Sequence, residues 1–142
     1  MIRSRSEVGV QLYRAARGAG LSLALAEDLL HTAPFLSVEN ITWIVTCMEH
    51  GGEELYRLVY ALDCIECGSK ITSLGTIGTV FAYARGWQIR DGIKVPGGVL
   101  RSMEPIDIPV GIWDRLEFFA RRIYVPESVR SRAKGAGGDE DD

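Results

Sequence analysis

Apolar side chains recur every three to four positions from the N-terminus to Pro34, which predicts two amphipathic helices. A Ser-x-x-Glu capping box at Ser4–Glu7 marks the start of the first helix, and Ser22 can cap the second. The Gly18–Gly20 turn should end the first helix. Pro34 should end the second, because proline disfavours helical geometry in the residue before it. The sequence therefore predicts a helical hairpin at the N-terminus.

The next segment, residues 37–47, is open to two interpretations. Ser37 can cap a helix that runs through Cys47. The β-branched and aromatic side chains at 41–46, however, have the composition of a strand. We favour the helix, and the small residues at 69–84 predict a further buried helix.

After Gly86 the apolar period changes. Residues 87–90 and 93–95 alternate apolar and polar side chains around Asp91-Gly92, which predicts a β-hairpin. Residues 99–108 should be extended, and Asp107 with Pro109 suits the start of a last helix. The predicted fold class is α+β, with a helical N-terminal hairpin and a long C-terminal helix packed on a small antiparallel sheet or hairpin.

Length and composition fit one globular domain. The chain has 142 residues, 46% of them hydrophobic and 25% charged. We expect a single domain over residues 1–134 and a flexible, glycine-rich acidic tail over residues 135–142.

Several function classes are disfavoured by what the sequence lacks. No apolar run is long enough for a membrane span, and no secretory signal follows the basic N-terminus. Three cysteines without an export signal favour a reducing, cytoplasmic location. Arginine outnumbers lysine by thirteen to three, but no stripe of basic and aromatic residues indicates nucleic-acid binding.

All three cysteines lie in one window with a histidine. Cys47-x-x-His50 and Cys64-x-x-Cys67 have the paired spacing of a structural zinc site, with three thiolates and one imidazole as ligands. Two alternatives remain open. If the segment is helical, Cys47 is a small core residue; or Cys64 and Cys67 form a redox pair, which would need a helix N-terminus or a cation nearby.

Two motifs, Ala15-Ala16-Arg17-Gly18-Ala19-Gly20 near the N-terminus and Tyr124-Val125-Pro126-Glu127-Ser128 near the C-terminus, together with their neighbours resemble those of an uncharacterised bacterial domain-of-unknown-function family. The N-terminal match is Ala15-Ala16-Arg17-Gly18-Ala19-Gly20 with Leu25-Ala26-Glu27. The C-terminal match is Trp113, Leu116 and Glu117, then Tyr124-Val125-Pro126-Glu127-Ser128, Ser131-Arg132 and Gly135-Ala136-Gly137. The resemblance implies mixed helices with a small sheet and implies no reaction.

The resemblance also draws attention to polar residues in the matched motifs: Arg17, Tyr124, Ser128, Ser131 and Arg132. Either they bind a small carboxylate in a pocket between the Gly18–Gly20 turn and the C-terminal YVPES segment, with Arg17 or Arg132 as the clamp, or they lock the tail onto the hairpin.

Three functions are therefore weighed, the third being a zinc-stabilised module in which the metal is purely structural. The first is a small cytoplasmic accessory subunit of a bacterial metabolic complex, zinc-stabilised if the metal site forms, that binds a protein partner or a second copy. It is supported by Phe118, which falls off the core stripe of the last helix beside Arg115, Arg121 and Arg122. The second is a carboxylate-binding protein or enzyme, although no spacing identifies a nucleophile.

Overall fold

A computed structural model describes residues 1–70, 74–97 and 101–123. Six α-helices run through these residues: α1 (Arg5–Gly18), α2 (Leu23–Thr32), α3 (Val38–Glu49), α4 (Glu53–Glu66), α5 (Gly75–Ala84) and α6 (Val110–Ala120). Four strands form two antiparallel pairs: β1 (Ile2–Arg3) with β4 (Ile106–Asp107), and β2 (Trp87–Arg90) with β3 (Ile93–Pro96). The predicted α+β class is confirmed.

The N-terminal hairpin forms as its local signals indicate. The Ser4 hydroxyl accepts a hydrogen bond from the Glu7 amide, and the Glu7 carboxylate accepts one from the Ser4 amide, both at 3.1 Å. Ser22 caps α2 by accepting a hydrogen bond from the Leu25 amide at 3.2 Å. These side chains satisfy amides that have no partner within the helix, so each helix begins where its cap stands.

The ambiguous segment is helical. Ser37 and Asn40 form a second reciprocal capping box at the start of α3. The hydroxyls of Thr42 and Thr46 donate to the carbonyls four residues earlier, each at 2.9 Å, so both β-branched polar residues fit the helix. Their strand-like composition is overridden by the cap and by the burial of one helical face.

The hairpin between β2 and β3 turns at Asp91 and Gly92, as predicted. Both residues have positive φ, at 54° and 75°, which is the turn geometry that matches the twist of two antiparallel strands. The hairpin packs beside α5, and α6 packs chiefly on α1 and also on α3. The C-terminal helix therefore rests on helices, and the sheets are smaller and more peripheral than the sequence suggested.

Buried side chains from all six helices form one apolar cluster. The end of α1 and the end of α6 approach closely. Gly18 permits this approach, because a Cβ at that position would overlap the carbonyl oxygen of Phe119. In the part of the chain that the structure describes, no helix is both long and apolar enough to cross a bilayer. The expected tail, residues 135–142, lies outside the described residues.

Candidate functional site

The first half of the predicted zinc set lies at the end of α3. Cys47 is buried, and burial together with the nearby carboxylate of Glu54 raises the pKa of its thiol to about 11. Its Sγ lies 4.0 Å from Oε1 of Glu54. His50 ends the helix, exposed, with Nδ1 donating to the Thr46 carbonyl at 2.8 Å. Cys47 is thus placed as a neutral core thiol.

The second half of the set lies at the opposite end of α4. Cys64 is half-buried in the last turn, Cys67 caps the helix and is exposed, and all three cysteines are free thiols. Glu54, which contacts Cys47, precedes Cys64 by ten residues on the same helix, which is about 15 Å along its axis. The structure therefore places Cys47 near His50, and Cys64 near Cys67, but it keeps these two pairs apart.

Among the described residues no three His, Cys, Asp or Glu side chains are grouped so that they could hold a metal ion. Cys64 and Cys67 also stand at a helix C-terminus, whereas redox pairs draw on the positive end of a helix. Zinc binding by Cys47, His50, Cys64 and Cys67 stays a prediction from their spacing.

The predicted carboxylate clamp is placed only in part. Nη1 of Arg17 donates to the Leu21 carbonyl at 3.0 Å, which secures the turn between α1 and α2. The small residues of that turn allow close approach, and the partner is α6, since Gly18 contacts the backbone of Phe119. The remaining candidates, Tyr124, Ser128 and Arg132, lie outside the described residues, as does the pocket expected beside them.

A groove of about 450 Å³ opens elsewhere, between the start of α1, the end of α2 and residues 101–103. Basic side chains from three parts of the chain line it, namely Arg5, His31 and Arg101, beside three serines and an apolar wall. No carboxylate lies among the described residues that line it. Arg5 is already engaged with the carbonyls of Leu36, Ala33 and Glu104, so it shapes the groove.

A charged cluster joins α2, α4 and α5. Arg85 contacts Asp63 at 2.7 Å, Glu66 at 3.2 Å and Asp28 at 3.4 Å, and Nε1 of Trp87 donates to Glu66 at 2.7 Å. Burial raises the pKa of Asp28, and the guanidinium of Arg85 opposes that rise. Because these charges pair with one another across three helices, we interpret the cluster as a structural one that stabilises the packing of α2, α4 and α5.

The outer face of α6 stands apart from these internal contacts. We use this name for the exposed residues Val110, Gly111, Asp114, Phe118 and Arg122, the last of which follows α6 in a short 3₁₀ turn. Phe118 is 63% exposed and Val110 is 55% exposed. The side chains at 110, 114, 118 and 122 are spaced by four positions, and Gly111 lies three positions before Asp114, so they line one side of the helix. The opposite side, with Leu116, Phe119 and Ala120, is buried.

The Phe118 ring is held in place although it faces solvent. It stands edge-on to Phe119, with ring centroids 5.3 Å apart. The guanidinium of Arg122 lies 5.8 Å from the Phe118 centroid, within cation–π range. A large apolar ring is therefore already ordered at the surface, which lowers the entropic cost of binding through it.

Sequence reasoning identified Phe118 and placed it beside Arg115, Arg121 and Arg122, of which only Arg122 lies over the ring among the described residues. Arg115 turns towards α3, where Nη2 contacts Oε1 of Glu49 at 2.6 Å and Nε contacts Oε2 at 2.9 Å. Asp114 was overlooked, although its position four residues before Phe118 was visible. The groove at Arg101 was also missed, because its basic residues are distant in sequence and follow no fixed spacing.

Comparisons with protein-family models, with curated proteins and with solved structures found no match to this chain. The resemblance of its two ends to a bacterial family therefore stays a prediction, and function has to be argued from the site itself.

Proposed function

We propose that this protein is a small accessory subunit that binds a protein partner through the outer face of α6. The observation that carries the proposal is Phe118, an aromatic ring that is 63% exposed and yet ordered by Phe119 and Arg122. Aromatic and arginine side chains supply most of the binding free energy in many protein interfaces. The cytoplasmic location expected from cysteine usage is part of the same proposal.

The composition of the face supports binding over chance exposure. Single exposed apolar residues are common on protein surfaces. Here Val110 and Phe118 lie on the same side of one helix, with Asp114 between them and Arg122 beyond. Phe118 is thus an apolar centre flanked by two charged residues, Asp114 and Arg122, and an apolar centre with a charged rim is the usual arrangement of a specific interface.

The test is site-specific photo-crosslinking in the native host cells. Benzoylphenylalanine replaces Phe118 in one strain and Tyr60 in another, because Tyr60 on α4 is comparably exposed at 71%. We expect a discrete adduct from position 118 and none from position 60, because only the former lies in the proposed interface.

Mass spectrometry then identifies what has been crosslinked at position 118. An adduct at the same yield from both positions, or no adduct from position 118, would overturn the proposal. The mass of the adduct also separates a second copy of this chain from a different protein.

Stabilisation of the subunit by zinc is a separate part of the proposal and rests on the Cys-x-x-His and Cys-x-x-Cys spacing. Metal analysis of the purified protein, beside Cys64→Ser, tests it. One bound zinc per chain in the wild type, lost in the variant, would support the site; wild-type protein without zinc would end this part.

A second candidate function is carboxylate binding in the groove beside Arg101. The groove presents Arg101 and His31, without a carboxylate among its described lining residues, next to apolar Leu30 and Met103. Basic donors above an apolar wall suit an organic anion with an aliphatic body.

Octanoate and octylamine provide matched probes for the groove, because they share an eight-carbon body and differ in charge. We expect octanoate alone to shift amide resonances around Arg101, and Arg101→Gln to weaken that binding about tenfold. Arg90→Gln is the control, since Arg90 is exposed on β2 and does not line the groove. Equal shifts with octylamine would contradict the assignment.

A further inference from the structure

We infer that the partner bound by the outer face of α6 is a second copy of this chain, related to the first by a two-fold axis at Phe118. This inference rests on the proposed function and names the occupant of the same face. It is argued from the order of charges along the helix, which makes the face complementary to itself.

The charges are arranged symmetrically about the exposed ring. Asp114 precedes Phe118 by four residues and Arg122 follows it by four, which places each about 6 Å from the ring along the axis, in opposite directions. All three residues lie on the exposed side. The helix thus presents a negative charge, an apolar centre and a positive charge in that order.

An antiparallel copy of the same helix matches this order. When two Phe118 rings meet on the two-fold axis, Asp114 of each protomer lies level with Arg122 of the other. The contact therefore contains one aromatic pair and two identical ion pairs, which is the self-complementary form that a two-fold interface requires. A parallel pairing would bring like charges together at both levels.

The charged groups of Asp114 and Arg122 are available for the antiparallel pairing. Asp114 makes no hydrogen bond or ion pair with any residue that the structure describes, so its charge is available. Arg122 contacts only the faces of Phe118 and Phe119 there, which leaves its guanidinium donors for a carboxylate.

The other arginines at this level do not oppose the pairing. An antiparallel copy places Arg121 level with Arg115 of the other protomer. Arg121 is paired with Glu117 at 3.3 Å, and Arg115 is paired with Glu49, so each is already neutralised within its own chain. The charges of the face that have no ion pair with another described residue, Asp114 and Arg122, are then the ones that meet.

The contact is small, because one helix face supplies it. Interfaces of this size are weak and form at high protein concentration. We therefore expect a reversible dimer whose population depends on concentration.

The experiment is sedimentation equilibrium of the full chain over a wide concentration range, with wild type, Asp114→Arg and Arg122→Asp. Wild type should form a dimer. Each single variant should associate about tenfold more weakly or not at all, because two pairs of like charges face each other. An equimolar mixture of the two variants should dimerise again, because one of its two ion pairs is the native pair and the other is restored with its charges exchanged.

Two exposed substitutions outside the face serve as controls, Glu27→Arg on α2 and Arg57→Asp on α4, and both should dimerise as wild type does. Circular dichroism confirms that every variant is folded. Restoration in the mixture cannot come from misfolding, since each variant alone should associate less than wild type.

The inference is overturned if wild type stays monomeric, if the single variants dimerise like wild type, or if the mixture does not recover. A monomeric wild type together with a position-118 adduct to another protein would sink this inference and leave the proposed function standing. No adduct at position 118 would overturn both the proposed function and this inference.

Discussion

The two sides of α6 carry similar side chains in opposite environments. Phe119 and Leu116 face α1 and are buried, whereas Phe118, one position away, is 63% exposed. On the inner side the backbone of Phe119 lies close to Gly18 of α1, and on the outer side Phe118 contacts solvent. Apolar character alone therefore does not decide which side of a helix enters the core. The available neighbour decides it, and the apolar side chain left outside belongs to the face that we propose as an interface.

The polar contacts differ between the two sides in the same way. Gln11 is buried on α1 and donates to Glu117 at 2.7 Å, which ties the inner side to the first helix. On the outer side Asp114 has no such contact among the described residues. Substitutions on the inner side should therefore change stability, and those on the outer side should change association.

The largest expected effect is at the contact between α1 and α6. In Gly18→Ala the new methyl group would overlap the carbonyl oxygen of Phe119, so the two helices must separate. We expect a loss of at least about 4 kcal/mol of unfolding free energy, or failure to fold. Urea denaturation followed by circular dichroism measures it.

The matched control for that change is Gly111, a glycine on the outer side of α6. A Cβ at Gly111 would meet no atom within 4 Å. Gly111→Ala should stabilise the protein by about 0.5–1 kcal/mol, because alanine loses less backbone entropy in a helix. Equal effects of the two substitutions would contradict the contrast between the sides.

A cavity on the inner side should have the next largest effect. Leu116 is fully buried, and Leu116→Ala should cost about 3 kcal/mol through lost burial and the cavity that remains. In urea denaturation the midpoint should fall, while the m value, the slope of unfolding free energy against urea concentration, stays unchanged. A cost below about 1 kcal/mol would mean that this side packs loosely.

The ion pair between Arg115 and Glu49 lies at the edge between the two sides of α6. Its removal should have a smaller, pH-dependent effect on the unfolding free energy. Hydrogen bonds from Arg115 lower the pKa of Glu49 in the folded state. The stabilisation is therefore present above the unfolded-state pKa of glutamate, about 4.3, and is lost as the pH falls through the lower folded-state value.

Glu49→Gln should accordingly cost about 1 kcal/mol at pH 7 and little at pH 3. Glu27→Gln is the control, because Glu27 is exposed on α2 and forms no ion pair with another described residue. A loss for Glu49→Gln that is equal at pH 7 and pH 3 would show that the carboxylate charge is not responsible.

The smallest effect on stability is expected at the exposed ring. Phe118→Ala should change the unfolding free energy by less than about 0.5 kcal/mol, because most of the ring already contacts solvent. The same protein should lose self-association in sedimentation. If Phe118→Ala destabilised the fold as Leu116→Ala does, the ring would belong to the core and the proposed interface would lose its basis.

Much of the fold was predictable because its signals are local. The capping box at Ser4–Glu7 and the turn at Asp91-Gly92 each depend on a few adjacent residues, and both formed as expected. The candidate zinc site was less certain for a physical reason. A spacing of three residues suits a metal-binding turn, but it also places two side chains on the same side of a helix.

By itself the sequence determined where α1, α2 and α3 begin, where the hairpin turns, and that Phe118 falls off the core stripe. These features depend on neighbours within one or two turns of chain. The tertiary structure alone decided that Gly18 meets Phe119, that Arg115 belongs to Glu49, and that Arg101 joins His31 in a groove. Each of those contacts joins residues distant along the chain, and they become neighbours only when one helix packs on another.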